Sequence, residues 1–287
     1  MSLFLSQALN GLALGSVYSL VALGLTLVYG ILHIPNFSHG ALFMVGAYAA
    51  FFITGRLSGN YWVALLGAAL VTAAIAVLSE RLVFSRLRDS PPLHDMIAAI
   101  GILLFFEALT QAIWGAEFHR LQPPLPGAIS IAGIFLQTQR AIIIAAALIL
   151  MIALQLFLKR TVTGSTIVAM AQNREGASLV GIDLERVSML TFAISGALAA
   201  IAGVLFAPIN LVFPGMGNLV ILKAFVIIIL GGMGSVPGAI VGGMVIGFAE
   251  SFGAFYISTD MKDIIAFAAL VLILSVRPQG LFPSPAR

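Results

Sequence analysis

The chain has no cysteine, which excludes disulfides, thiolate zinc sites, iron–sulfur clusters and cysteine nucleophiles. Charge is scarce as well. Asp, Glu, Lys and Arg make up 9% of the 287 residues, where soluble domains carry ~25%. Between Met1 and Gly55 there is none at all. Apolar residues take their place: the hydrophobic fraction is 61% and the mean hydropathy +1.11. Such a chain cannot cover its surface with polar groups in water. That excludes a soluble globular enzyme, a disordered chain and a fibre, and leaves a multi-spanning membrane protein. The formal net charge of +3 does not point to nucleic acid. Basic residues stand singly or in pairs between apolar runs, so no patch can neutralise a row of phosphates.

Catalytic signatures are missing too. Lys159, Lys223 and Lys262 are followed by Arg160, Ala224 and Asp263, so no P-loop can form. His33, His39, His94 and His119 show no metal-ligand spacing, and no GxSxG elbow occurs. Intramembrane hydrolysis would need a Ser/His or paired-Asp set inside spans, and no apolar run carries paired Asp. The chain is expected to be no enzyme and to hold no metal or cofactor of its own.

The uncharged stretch is far too long for one ~30 Å crossing at ~1.5 Å per residue. It must fold back, and HIPNFSHG marks the place, with Pro35 and Asn36 between Gly30 and Gly40. Nothing basic precedes the first apolar run, which reads as a retained span rather than a cleaved signal. Spans are expected near 9–30, 37–54, 61–82, 96–114, 141–158, 187–208 and 264–276. The run 219–255 is again too long for one crossing and is broken at GGMGSVPG, residues 231–238. It reads as two spans or as a re-entrant pair. The fold expected is therefore all-α: a polytopic integral membrane helical bundle of 8–9 spans, two of them interrupted or re-entrant, in a single domain over 1–287. With the loop 159–186 placed in the cytoplasm, nine basic residues lie inside and five outside. That puts the N-terminus outside and the C-terminus inside.

Glu107 falls in mid-span. It reads either as an acid on a pathway or as a buried group hydrogen-bonded to a neighbouring helix. Lys223 and Glu250 lie toward the ends of their runs and are expected to snorkel to the interfaces. Gly11 and Gly15, Gly238 and Gly242, and Gly243 and Gly247 form GxxxG pairs. Gly196, Ala199, Ala200 and Gly203 line one helix face. Both patterns predict close intrachain helix packing. Paired breaks are a pointer to a transport pathway. Asn36, Phe37, Ser38, His39 and Gly40 in the first break, and Gly232 and Ser235 in the second, are thus pathway candidates beside Glu107. Short surface loops are the alternative.

The most polar segment is TGSTIVAMAQNREGASLVGIDLERV. It predicts a short helix, a glycine turn at Gly181 and a polar lead into the next span, with Ile167, Met170, Ala171 and Ala177 at helical spacing. It has no Trp, Phe or Lys to lie on lipid, so it is expected to dock into a groove on a cytoplasmic partner.

At this segment the chain resembles a known family. AMAQNREGASLVGIDLERV with TFAISGALAAIAGVL, NGLALGSVYSLVALGLTLVYG, NFSHGALFMVGAY, LGGMGSVPGAIVGGMVIGFAES and LVLILSVRPQGLF together resemble the branched-chain amino acid permeases of bacterial ABC importers. The resemblance runs in order from about Asn10 to Phe282. It implies one half of a heterodimeric pore in the inner membrane, beside a homologous second permease subunit. Two cytoplasmic ATP-binding subunits would use the ATP, and a periplasmic binding protein would deliver the solute. It also implies a coupling loop at Ala169–Gly181, including Met170, Gln172, Asn173, Arg174, Glu175, Ala177 and Gly181. Relatives of this kind also carry urea and short amides, so the solute stays open. An ion-coupled carrier working alone is the remaining alternative, motivated by Glu107 and the broken helices.

Overall fold

A computed structural model describes residues 2–32, 36–88, 90–131 and 134–282. His33, Ile34 and Pro35, on which part of the first expected break falls, lie outside the described residues. Twelve α-helices and one hairpin make up the described chain. They are α1 (Ser2–Leu32), α2 (Ser38–Ile53), α3 (Tyr61–Ser79), α4 (Ser85–Leu87), α5 (Pro92–Trp114), β1 (Ala128–Ile131), β2 (Ile134–Gln137), α6 (Thr138–Arg160), α7 (Val162–Gln172), α8 (Arg174–Leu179), α9 (Leu184–Phe206), α10 (Met216–Gly231), α11 (Val236–Tyr256) and α12 (Lys262–Val276). π-Helical turns at Thr54–Ser58 and Glu80–Phe84 extend α2 and α3.

Each expected span corresponds to one apolar helix. Seven are long and apolar enough to cross a membrane. The other two are shorter: α10 has 16 residues and α12 has 15. At ~1.5 Å per residue, α10 is about 24 Å long, less than a straight crossing. By contrast α1, with 31 residues, runs about 46 Å and overshoots the apolar layer. The antiparallel pairing of β1 with β2 has no counterpart among the sequence expectations.

Small residues set the packing. Gly11 and Gly15 of α1 face Phe248 and Met244 of α11, and Gly247 lies against Gly15. Gly203 of α9 sits on the Phe43 backbone, Gly46 of α2 on Ala200, and Gly196 on Ala76 of α3. A Cβ at these glycines would collide with the neighbouring helix, so close backbone approach is what they provide. The GxxxG and span-six glycines thus pack within the chain, as expected.

Contacts at the helix ends show how several of these helices run. The starts of α3 and α6 meet the end of α9, where Gln139 Nε2 donates to the Leu205 carbonyl at 2.9 Å and Tyr61 OH to that of Val204 at 3.0 Å. The start of α1 meets the end of α11, where Ser251 Oγ donates to the Gln7 carbonyl at 2.8 Å. At the opposite end of the bundle, α6 leads directly into α7, and Gly30 near the end of α1 faces Ala171.

Candidate functional site

Three polar regions stand out in this apolar frame. One is the segment between α6 and α9. Its folding is legible residue by residue. Thr161 Oγ1 accepts from Gly164 N–H at 2.9 Å, Asn173 Oδ1 from Gly176 N–H at 2.9 Å, and Asp183 Oδ1 from Arg186 N–H at 3.1 Å. Three successive N-caps therefore start α7, α8 and α9. Gly181, at φ +82°, ends α8. Ile182 N–H returns to the Ala177 carbonyl and Gly181 N–H to that of Ser178, the two bonds of a Schellman turn. The expected single helix is thus two, because Asn173 stops one and starts the next. Ile167, Met170 and Ala177 are buried against the bundle. Gln172, Arg174 and Glu175 lie on the outer surface or its margin. Leu179 and Val180 are left 86% and 78% exposed.

The first break forms a second polar region, and it is not a surface loop. Asn36, Ser38 and His39 are buried. Asn36 Oδ1 accepts from Ser38 N–H at 3.1 Å and Ser38 Oγ at 2.6 Å, which holds the first turn of α2. His39 Nε2 lies 3.0 Å from the Val21 carbonyl, which can only accept, so Nε2 carries a proton. Nδ1 lies 3.2 Å from Ser195 Oγ, which itself donates to the Gly24 carbonyl at 2.8 Å. Interrupting the helix thus places α2's first turn against the middle of α1, where the His39 ring is held by α1 and α9 while Asn36 Nδ2 is buried without a partner. Phe37 packs at a tilt on Phe225 of α10, ring centroids 4.7 Å apart. Gly40 sits where a Cβ would come within 2.8 Å of Ile221 Cβ.

Glu107 joins this neighbourhood through α10. Its Oε2 accepts from Asn218 Nδ2 at 2.9 Å, and the adjacent Gly217 packs on Gly40. Hydrogen bonding to a neighbouring helix is therefore the role the structure displays. The second break is different in kind. It is a tight α10–α11 turn with Met233 half exposed, Ser235 Oγ capping α11 by accepting from Gly238 N–H, and the C-terminal stretch paired across it through Leu281 N–H to the Leu230 carbonyl. Gly232 and Ser235 lie there, away from the other candidates.

The third region was missed in the sequence. Lys223 and Glu250 do not reach out separately but pair with each other. The α10–α11 hairpin turns them toward each other, Nζ to Oε1 at 2.6 Å, with side chains only 13% and 6% exposed. Tyr18 OH of α1 donates to Glu250 Oε2 at 2.7 Å, and Lys223 Nζ donates to Tyr18 OH at 3.1 Å. Asp263 of α12 lies 3.0 Å from the same Nζ. These residues line a cavity of about 580 Å³ that also takes in Asn10, Arg140 and Asn210. It sits at the end of the bundle formed by the starts of α1 and α6, opposite α7 and α8. None of the expected pathway residues lines it. The available signal was opposite charges on two runs joined by a tight break.

Residues 7–274 match the family model described as branched-chain amino acid transport system / permease component. The chain belongs to this family. The permease is 36% identical to the high-affinity branched-chain amino acid transport system permease protein LivH of Escherichia coli K12, over 98% of this chain and 96% of that one. It is equally similar to BraD of Pseudomonas aeruginosa, at 36% identity with the same coverage. A probable LivH of Methanocaldococcus jannaschii is 30% identical over 91% of this chain and 87% of its own. Among solved structures, PsaBC from Streptococcus pneumoniae in complex with Fab superposes with a TM-score of 0.50. That match covers 97% of this chain and 93% of the other at 13% identity, and so speaks to fold alone.

Proposed function

We propose that this permease is the membrane-spanning subunit of an ATP-driven importer in a bacterial inner membrane, and that its cargo is a branched-chain amino acid. The cargo follows the relatives named LivH and BraD. In this reading the N-terminus is periplasmic and the C-terminus cytoplasmic. A homologous second permease completes the pore, two ATP-binding subunits grip the cytoplasmic face, and a periplasmic binding protein delivers the solute. The chain itself performs no catalysis and holds no cofactor; its partners use the ATP.

The observation that carries this reading is the capped pair α7–α8, built onto the end of α6 and presenting Leu179 and Val180 uncovered. A short polar helix pair with an apolar tip suits a groove on a protein partner. Met170 and Ala177 anchor the pair from beneath, Gln172, Asn173, Arg174 and Glu175 supply its polar surface, and Gly181 turns the chain back into α9. Closure of the ATP-binding subunits would pull on α7–α8. Because α6 runs unbroken from α7 to the cavity, and α1 from Ala171 to Tyr18, the pull reaches the cavity through two rigid rods. The buried knot at Asn36–Gly40, tied to α10 and through Asn218 to Glu107, is the hinge region around which α2 and α10 would move. Gly232 and Ser235 would set the far end of α10.

Leu179→Asp with Val180→Asp tests the docking. Leucine uptake is expected to fall by about tenfold or more, as for loss of an interface hot spot. The amount of permease in the membrane should stay unchanged. Uptake at the parental rate would overturn the docking role. Competition by isoleucine and valine, but not by urea or acetamide, is expected in the same assay, and the reverse pattern would reassign the cargo.

A further inference from the structure

The cavity's charges do not balance locally. Lys223 is one cation held between two carboxylates, Glu250 and Asp263. Among the described residues, the α10–α12 wall thus carries one surplus negative charge. Asp263 is its accessible part, with its side chain 46% exposed against 6% for Glu250. Arg140, supplied by α6, lines the same cavity and has no ion-pair partner among the described residues. A partly dehydrated charge is costly unless something pairs with it. Here one surplus charge of each sign faces one cavity. Much of the remaining wall is apolar, contributed by Phe206, Ile209, Phe213, Met216 and Leu219.

A small zwitterion with an aliphatic side chain satisfies all three surfaces at once. We propose that this cavity is a transit site for an amino acid, with Arg140 holding the α-carboxylate in a forked pair and Asp263 the α-ammonium. Lys223, Glu250 and Tyr18 act as positioning residues: they fix Asp263 and hold the α1, α10, α11 and α12 walls together. This assignment deepens the transport reading and rests on it. It predicts selection at the permease itself for molecules bearing both charges, in addition to any selection by a binding protein.

The absence of cysteine makes the test clean, because one introduced thiol is the only one in the chain. Asn210→Cys places it in the cavity wall. In membrane vesicles carrying the full chain, L-leucine is expected to slow maleimide labelling several-fold. Isoamylamine lacks the carboxylate and isocaproate lacks the ammonium, and neither should protect. Arg140→Gln and Asp263→Asn should each abolish protection by leucine, and Arg140→Lys should retain part of it. Equal protection by all three probes, full protection in the Gln and Asn variants, or no protection in vesicles whose parent cells import leucine through this chain would each overturn the site. The probe comparison needs no substitution at Arg140 or Asp263, so it stands even where those variants do not fold. Protection by leucine without any chain-dependent uptake would instead retire the transport reading and leave the site.

Discussion

The two breaks in the apolar run carry similar residue types and do opposite work. At Asn36–Gly40 the chain is packed among its neighbours: Val21 and Ser195 contact the His39 ring, and Gly217 and Ile221 close on Gly40. At Gly231–Gly238 the chain reaches the surface and turns, with a left-handed Gly234 at φ +81° in open space and a serine cap to restart the helix. A broken membrane helix is therefore not one signal. Its meaning depends on how far the flanking helices run past the break, and α1 runs on well beyond the level at which α2 begins.

Substitutions can break this contrast or sharpen it. The largest effect is expected for Gly40→Val, because even a Cβ there would lie 2.5 Å from the Gly217 carbonyl oxygen. A loss of about 3 kcal/mol is expected, the upper range of overpacking, and should be seen as loss of monodisperse protein on size exclusion in detergent. His39→Ala comes next. It removes the bond to the Val21 carbonyl and the contact with Ser195 and should cost about 2 kcal/mol in a detergent thermal-unfolding assay. At the second break, Ser235→Ala should cost about 1 kcal/mol, the worth of one N-cap. Gly234→Ala should cost a similar amount, about 1 kcal/mol for the left-handed backbone alone. Were the second pair to prove costlier than the first, the buried knot would not be the more constrained of the two breaks.

Most of the fold was legible because lipid demands long apolar runs and only glycine, proline and short polar stretches can end them. The nine apolar helices among the described residues and the small-residue faces follow from that rule, and the turn at Gly181 from its glycine. Asn173 is a readable cap as well, and it divides the expected single helix into two. What stayed hidden depends on how helices rotate against each other. Nothing local to Lys223, Glu250 or Asp263 says that three helices converge there, so two of them looked like residues reaching for water. The Asn218 partner of Glu107 is hidden for the same reason. The β1–β2 hairpin is too short and too irregular in its alternation to announce itself.

In this transport reading α7–α8 and the charged cavity lie on opposite sides of the membrane, with the helix pair in the cytoplasm. Single thiols at Leu179→Cys and Asn210→Cys, probed in spheroplasts with a membrane-impermeant maleimide, test this most directly. Asn210→Cys is expected to label at once, and Leu179→Cys only after the membrane is permeabilised. Immediate labelling of Leu179→Cys with protection of Asn210→Cys would contradict the account.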